Sequence, residues 1–225
     1  MPETVIYILG YTAVFLFGIV IGSFCNVCIY RIPKQESIMV DSHCMNCGEK
    51  LHWYDLVPLF SFIILKGRCR KCQTKLSLQY PLIEGMNGAL YVVVILANGW
   101  NLFSVIYCLL TSALIILSVI DFRTYLIPNQ INAFILALGI ITVILDREHA
   151  TGHLIGMVGI SGFLLILYLL TAGRGIGGGD IKLMAAAGLI TGWQISVLSF
   201  LTGCILGSVI HLIRMKVSGV EHKLA

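Results

Sequence analysis

Charged residues are scarce in this sequence of 225 residues. Lys and Arg together number 15 and Asp and Glu 11, so that only 12% of the chain is charged, about half of what a soluble domain usually carries. Hydrophobic residues make up 58%, and the mean hydropathy is +0.92. A core this apolar cannot be buried inside so short a chain, so lipid must cover much of it. The basic residues lie between apolar runs rather than along one face, which gives no indication of a nucleic-acid partner.

The sequence also lacks several targeting and nucleotide-binding patterns. The N-terminal apolar stretch, residues 5–30, has no basic segment before it and no small-residue cleavage site. It therefore predicts a retained membrane helix rather than a cleaved signal peptide. No lipidation motif is present. The glycine-rich turn at residues 175–180 fits neither of the common glycine-rich nucleotide-binding motifs.

Apolar runs predict the spans of an all-α polytopic membrane protein. They fall at 5–30, 81–97, 102–120, 131–145, 154–172 and 183–213. The last run is too long for one span and has Gly192, Trp193 and Gln194 in its middle, so we predict two short spans there and about seven in total. Residues 1–30 then form the first transmembrane helix, residues 31–80 a small cytoplasmic cysteine-rich domain, and residues 81–225 a multi-helix membrane domain.

The distribution of Lys and Arg predicts the orientation of these spans. Nearly all of them lie in the segments after the first, third, fifth and seventh spans, and the C-terminal ones are Arg214, Lys216 and Lys223. Only Arg147 falls on the opposite side. By the positive-inside rule the crowded side is the cytoplasm and the N-terminus lies outside.

Glycines recur at a spacing of four within the spans. The pairs are Gly18 and Gly22, Gly152 and Gly156, Gly188 and Gly192, and Gly203 and Gly207. Small residues at this spacing let helix backbones approach closely in lipid, so the pattern predicts packing rather than chemistry.

Two C-x-x-C pairs lie in the segment 31–80. They are Cys44 with Cys47 and Cys69 with Cys72. Four thiolates make the tetrahedral ligand set that zinc prefers, and the reducing cytosol disfavours disulfides. A structural zinc ion would stabilise a segment too small for a core of its own. The alternatives are redox-active or incidental thiols. Cys25 and Cys28 lie in the first span, where we expect them to act as small apolar residues.

Three acidic residues lie at or inside the predicted membrane boundary: Glu84, Asp121 and Asp180. Such charges are costly in lipid and are usually functional. Asp121 ends the third span and Asp180 closes the turn Gly175–Asp180, so the topology puts both aspartates at the cytoplasmic boundary. Glu84 lies just inside the second span, where it could contact substrate, pair with a cation or make a structural hydrogen bond.

Paired aspartates would supply the chemistry of an aspartic peptidase. Two carboxylates brought close share one proton. The ionised one can take a proton from water while the protonated one polarises a peptide carbonyl, and no metal is needed. The simpler alternative is that Asp121 and Asp180 are helix-end residues at the interface. Glycines before Asp180 would let a substrate strand approach the backbone closely.

These motifs together resemble the type IV prepilin leader peptidase family, over nearly the whole chain. Residues 22–33, Gly-Ser-Phe-Cys-Asn-Val-Cys-Ile-Tyr-Arg-Ile-Pro, look like the signature at the end of that family's first span. The two C-x-x-C pairs match its cysteine-bearing members, Asp121 with Ile127 and Pro128 matches its first aspartate motif, and residues 177–180 match its Gly-x-Gly-Asp motif.

The resemblance implies a bifunctional enzyme of the bacterial cytoplasmic membrane. Asp121 and Asp180 would be the catalytic pair, supported by Gly177, Gly179, Lys182 and Glu84. The substrates would be type IV prepilins or type II secretion pseudopilins, cut after a glycine at the cytoplasmic face. The family also methylates the new N-terminal amine with S-adenosylmethionine, an activity that it links to its N-terminal part; no motif for that methyl donor is legible in the sequence.

The chain departs from the family pattern in three places. Asn129 stands where the family often has Asp, Cys25 and Cys28 replace commoner aliphatic residues, and the chain ends soon after the seventh span although the family usually has one more. None of these positions belongs to the predicted catalytic pair.

Three other functions compete with this interpretation. A transporter or ion channel would place acidic residues near the bilayer midplane, often in repeated halves, and no repeat is visible here. A thiol-redox protein would place its C-x-x-C pairs in an oxidising compartment. A presenilin-like peptidase shares the Gly-x-Gly-Asp motif but lacks the cysteine segment.

Overall fold

A computed structural model describes residues 3–218, apart from the side chains of Glu3, His211, Arg214 and residues 216–218. The regular elements of these residues are helices, as predicted. The seven α-helices are α1 (Glu3–Arg31), α2 (Phe60–Ile64), α3 (Gln79–Asn98), α4 (Leu102–Thr124), α5 (Asn129–Leu145), α6 (Ala150–Leu170) and α7 (Gly178–Ser218), with short 3-10 turns at Ile32–Lys34 and Trp53–Leu56. The basic side chains of Arg214, Lys216 and Lys223, used in the topology prediction, lie outside the described residues.

Every predicted span is helical, but the helices differ in length. Within the described residues, five helices are long and apolar enough to cross a membrane, namely α1, α3, α4, α6 and α7. Helix α5 is equally apolar but has 17 residues, and is therefore about 26 Å long. It falls slightly short of the hydrocarbon thickness of about 30 Å.

The last helix, α7, is interrupted at the predicted place. Its 41 residues include Gly192, whose φ of 74° and ψ of 174° are not helical. Only glycine adopts this conformation without strain. The break divides the helix into two apolar arms, which correspond to the last two predicted spans. The first arm begins at Gly178 and is therefore about 21 Å long, too short to cross a bilayer alone.

The chain consists of two compact units, residues 1–131 and residues 132–225. The first unit contains α1, the cysteine segment, α3 and α4. The second contains most of α5 together with α6 and α7. The three-part division at residues 30 and 80 stays a prediction.

In the first unit, α1 and α3 pack at glycines. A Cβ atom added at Gly18 would lie 2.8 Å from the Cα of Gly88, and one at Gly22 would lie 2.7 Å from the Cα of Glu84. Real side chains do not tolerate such distances, so the first predicted glycine pair is a packing site. The close approach brings the first turns of α3 against the last turns of α1.

A buried polar network also joins the helices of the first unit. The Asn87 amide donates to the Gly18 carbonyl at 2.7 Å and accepts from the Ser112 hydroxyl at 2.9 Å. The Tyr91 hydroxyl lies 2.9 Å from the same serine oxygen. Hydrogen bonds in such an apolar setting are strong, because an unpaired polar group there is costly. The network therefore specifies how α1, α3 and α4 align.

In the second unit, α6 and α7 make their closest approach at Gly156 and Gly188. A Cβ atom at Gly156 would lie 2.5 Å from the Gly188 carbonyl oxygen, and one at Gly188 would lie 2.2 Å from the Gly156 oxygen. One glycine from each of two predicted pairs therefore forms this contact. Among the described residues, no atom lies within 4 Å of a Cβ added at Gly203 or Gly207.

Gly188→Ala should destabilise the protein, because the added methyl group meets backbone that cannot rotate away. Overpacking of this kind costs about 1–3 kcal/mol. Gly203→Ala in the same helix is the matched control and should be neutral or slightly stabilising, because alanine favours helix. Thermal unfolding of both variants in detergent checks the prediction. Equal unfolding midpoints for the two variants would show that α6 and α7 can move apart at Gly188 without a loss of stability.

Candidate functional site

The two C-x-x-C pairs form two loops of the same shape. In the first, an antiparallel bridge pairs His43 with Lys50, and in the second a bridge pairs Arg68 with Lys75. In each loop the N–H of the first cysteine donates to a carbonyl five residues later, at 2.8 Å for Cys44 and 2.9 Å for Cys69. The residue after the second cysteine has a positive φ in both loops. Residues 43–50 and 68–75 are therefore a structural repeat.

The sequence contains a sign of this repeat that we did not use in the prediction. In both segments two residues separate the cysteines, and a lysine follows three residues after the second cysteine. The left-handed position is Gly48 in one loop, with φ 71°, and Gln73 in the other, with φ 57°. A glycine pattern alone therefore finds only one of the two loops.

The loops bring the four cysteine sulfurs together. Cys44, Cys47, Cys69 and Cys72 have all of their Sγ atoms within 4.8 Å of one another. The Cys44 and Cys72 sulfurs are 3.8 Å apart, which equals the edge of about 3.8 Å expected for a tetrahedron with metal–sulfur bonds of about 2.3 Å. Cys44 and Cys69 are buried, while Cys47 is exposed. The cluster could hold a metal ion, as the sequence predicted.

Hydrogen bonds favour the thiolate form of two of these cysteines. The Thr74 hydroxyl lies 3.3 Å from Cys72 Sγ and accepts from the Asn46 amide at 2.8 Å. Together with the Thr74 N–H and the Asn46 amide, it lowers the pKa of Cys72 to about 5. The backbone N–H groups of Cys47 and Asn46 lower the pKa of Cys44. Thiolates are the form that binds metal.

Cys47 is shifted in the opposite direction. The Glu49 backbone N–H lowers its pKa, but desolvation and hydrogen bonding with the Cys44 and Cys72 thiols outweigh this effect and raise the pKa to about 11. A cluster with both thiolates and a protonated thiol exchanges that proton for a metal ion on binding.

Glu84 lies near the cysteine segment and is largely buried, at 6% exposure. Its Oε2 atom accepts a hydrogen bond of 2.9 Å from the Leu59 backbone N–H. The structural hydrogen bond left open by the sequence is therefore present. It ties the segment before α2 to the first turns of α3.

Asp121 lies in the last turn of α4 and is exposed. Its carbonyl accepts from the N–H of Tyr125 at 2.8 Å, and Tyr125 has a left-handed φ of 54° that ends the helix. Pro128 then precedes α5, where a proline does not remove a helical hydrogen bond. The local sequence thus places the carboxylate at the end of a predicted span, as expected.

Asp180 lies in the first turn of α7 and is also exposed. Its N–H donates to the Gly177 carbonyl at 3.1 Å, and its carboxylate folds back toward the same glycine. The N-terminus of a helix stabilises a nearby negative charge. Gly179 is half-buried and Lys182 is exposed two residues further along the helix. Asp121 belongs to the first unit and Asp180 to the second, and their pairing stays a prediction.

Gly177 is the motif glycine whose replacement should move the Asp180 carboxylate. A Cβ atom there would lie 2.9 Å from Asp180 Oδ2, whereas one at Gly178 meets nothing within 4 Å. Because a side-chain end can shift at little cost, Gly177→Ala should leave the melting temperature almost unchanged. If the Asp180 carboxylate takes part in peptide cleavage, as the sequence predicts, the cleavage rate should fall by about 10- to 100-fold, the usual effect of a displaced catalytic group.

Gly178→Ala is the matched control for this measurement and should cleave substrate at nearly the wild-type rate. Initial rates and unfolding midpoints of both variants, measured on the same preparations, distinguish a displaced carboxylate from a damaged fold. Equal rates for the two variants would contradict the proposed positioning of Asp180.

The fold and the cysteine cluster define a polytopic helical membrane protein with a candidate metal centre beside its first helix. Two family models match the chain. Residues 16–98 match the bacterial peptidase A24 N-terminal domain, and residues 108–212 match the type IV leader peptidase family. No solved structure matches the chain.

Curated relatives agree with these matches. A protein of Aeromonas salmonicida (strain A449) is 34% identical, with 92% of this chain and 83% of the relative covered. One from Klebsiella pneumoniae is 35% identical over 80% of this chain and 84% of the relative, and one from Pseudomonas putida is 27% identical over 90% and 80%. Each is named prepilin leader peptidase/N-methyltransferase. The chain belongs to the type IV leader peptidase family.

Proposed function

We propose that this chain is a prepilin leader peptidase and N-methyltransferase, which removes the leader of type IV prepilins or type II secretion pseudopilins and methylates the new N-terminus. The observation that carries the proposal is the similarity to relatives of that name over more than four fifths of their length. The transporter alternative has no support among these relatives.

In the proposed peptidase reaction, Asp121 and Asp180 act as a pair. One carboxylate is ionised and takes a proton from the attacking water, while the other is protonated and donates a hydrogen bond to the scissile carbonyl. Helices α5 and α6 separate the two aspartates in the chain. If both cross the bilayer, the two aspartates lie at the same membrane face.

Four further residues support this site in the proposal. Gly177 leaves room for the Asp180 carboxylate, and Gly179 lets a substrate strand approach the backbone. Lys182 is exposed in the first turns of α7, two residues after Asp180. Glu84 supports the site through the segment that it ties to α3.

The metal of the cysteine cluster is proposed to be zinc in a structural role. Four thiolates complete the coordination shell of zinc and leave no open position for a catalytic water. S-adenosylmethionine is proposed as the source of the methyl group in the second activity, since the relatives carry the N-methyltransferase name.

We place the protein in the bacterial cytoplasmic membrane, with the N-terminus outside and the cysteine segment and both aspartates facing the cytoplasm. Large apolar side chains are exposed along α1, α3, α6 and α7, and a lipid bilayer would cover them. The apolar helix of a prepilin would lie in the same bilayer, with its leader junction at the depth of the aspartates.

Mass spectrometry of a prepilin incubated with the purified full-length chain in detergent tests both activities. We expect cleavage after the leader glycine and, with S-adenosylmethionine, a further gain of one methyl group on the new N-terminus. Cleavage without methylation would limit the proposal to the peptidase. An intact prepilin, with enzyme whose folding and metal content are verified, would contradict it.

A further inference from the structure

The first unit contains a cavity whose lining includes neither Asp121 nor Asp180. Its volume is about 340 Å³, within the range of pockets that bind small organic molecules. It lies between the last turns of α1, the first turns of α3 and the two cysteine loops. Its lining includes Tyr30, Arg31, Phe62, Tyr80 and Glu84, and the other charged residues that line it are exposed or half-buried.

Two buried charges of opposite sign line this cavity. Arg31 is 7% exposed and Glu84 is 6% exposed. Burying a charge is costly unless a partner compensates it, and among the described residues neither of these two forms an ion pair with an opposite charge. Hydrogen bonds hold both charges in place instead, from backbone carbonyls for Arg31 and from the Leu59 N–H and the Ser23 side chain for Glu84.

The Arg31 guanidinium is held by three carbonyl oxygens. It donates to Val40 at 2.6 Å, to Ser37 at 3.1 Å and to Asp41 at 3.2 Å. Carbonyl oxygens orient the side chain but leave its net positive charge. These bonds use three of the five guanidinium N–H groups, and the remaining two, on Nε and Nη2, can pair with a carboxylate.

The Glu84 carboxylate keeps hydrogen-bonding capacity in the same cavity. Its Oε2 atom accepts the Leu59 N–H, and the Ser23 side chain also hydrogen-bonds to the carboxylate, but a carboxylate has capacity for several further hydrogen bonds or a cation. The cavity therefore offers a fixed cation and a fixed anion to one ligand, together with the aromatic rings of Tyr30, Phe62 and Tyr80.

We propose that this cavity binds the methyl donor, an adenosyl sulfonium amino acid, with its carboxylate at Arg31 and its sulfonium cation at Glu84. The inference rests on the proposed N-methyltransferase activity. The donor carries both charges that the cavity complements, and its adenine supplies a flat ring for the aromatic side chains. Once the methyl group has left, the neutral thioether product loses its attraction to Glu84, which favours product release.

Calorimetric titration of the full-length protein in detergent tests this assignment. The probes are S-adenosylmethionine and S-adenosylhomocysteine, which differ in the sulfonium charge. Glu84→Gln keeps the shape of the side chain and an oxygen for the Leu59 N–H but removes the negative charge. Glu148→Gln, an exposed change of the same charge in the other unit, is the matched control.

We expect Glu84→Gln to weaken binding of S-adenosylmethionine by about tenfold, which is the usual loss of affinity when a hydrogen-bonding group loses its charge. Binding of S-adenosylhomocysteine should change less, and Glu148→Gln should bind both as the wild type does. The metal content and unfolding midpoint of Glu84→Gln show whether its fold is intact. If that fold is lost, ultraviolet cross-linking of the donor to the wild-type protein tests the proposal instead. The label is then expected in peptides from residues 23–84.

Two results would overturn the proposal, and only the second would also contradict the proposed methyltransferase activity. Wild-type affinity of a folded Glu84→Gln for S-adenosylmethionine, or cross-linking only within residues 132–218, removes the cavity assignment and leaves the enzyme's two activities standing. No binding of either probe by a wild-type protein that cleaves prepilin removes the assignment together with the methyltransferase part of the proposed function.

Discussion

Replacement of either Asp121 or Asp180 by asparagine should reduce prepilin cleavage by about 10²- to 10⁴-fold. Asparagine fills the same space but neither accepts a proton from water at neutral pH nor donates one as an acid. Loss of a positioned acid or base usually costs about 10² to 10⁴ in rate, and the double variant should be little worse than either single one because the pair acts as a unit. Cleavage rates from mass spectrometry check this expectation.

The chain offers a matched control for each aspartate. Asp41 lies in the first unit in an exposed ion pair with Lys50, and Asp146 lies in the second unit beside His149. Asp41→Asn and Asp146→Asn remove the same charge and should cleave at nearly the wild-type rate. If Asp121→Asn and Asp180→Asn cleave as fast as these controls, the paired-aspartate mechanism is wrong.

Replacement of Cys44 or Cys72 by serine should remove the bound metal and lower the amount of folded protein several-fold. Zinc binding contributes about 10 to 16 kcal/mol in small zinc-dependent peptides, and a loss of only 1–2 kcal/mol already changes abundance in cells several-fold. Both activities should fall together, because the cysteine loops lie against the ends of α1 and α3. Metal analysis and the yield of monodisperse protein measure the effect.

Cys204→Ser is the control for the cysteine variants, because Cys204 is exposed in the second arm of α7 and far from the cluster in sequence. It should retain the metal and the wild-type yield. Full abundance of Cys44→Ser with loss of methylation alone would contradict a structural role and would make the metal part of the methyltransferase site.

The cysteine cluster shows where sequence reasoning succeeds. The spacing of Cys44 and Cys47, and of Cys69 and Cys72, predicted a four-sulfur cluster, and the structure confirms that the sulfurs converge. Ligand spacing is a local property, since two residues between cysteines suit one metal ion in any fold. The role of Asn46 was not predicted, because its contacts with Cys72 and Thr74 cross from one loop to the other.

The helices, too, were predicted in part. Apolar run length predicted every span, because the bilayer requires about 20 apolar residues per helix. The break in α7 was also predicted near Gly192, because this glycine lies between two apolar runs. The short α5 and the start of the last helix at Gly178 were not, because helix ends depend on local caps and packing that hydropathy does not measure.

What the sequence determined by itself was therefore the class of protein, the apolar helices, the four candidate metal ligands and the two candidate aspartates. Each of these is carried by residue type and spacing along the chain. The tertiary structure alone decided which glycines meet, namely Gly156 with Gly188, and that Arg31 and Glu84 line one cavity. Those two charges are 53 residues apart in the chain, and only the packing of α1 against α3 brings them together.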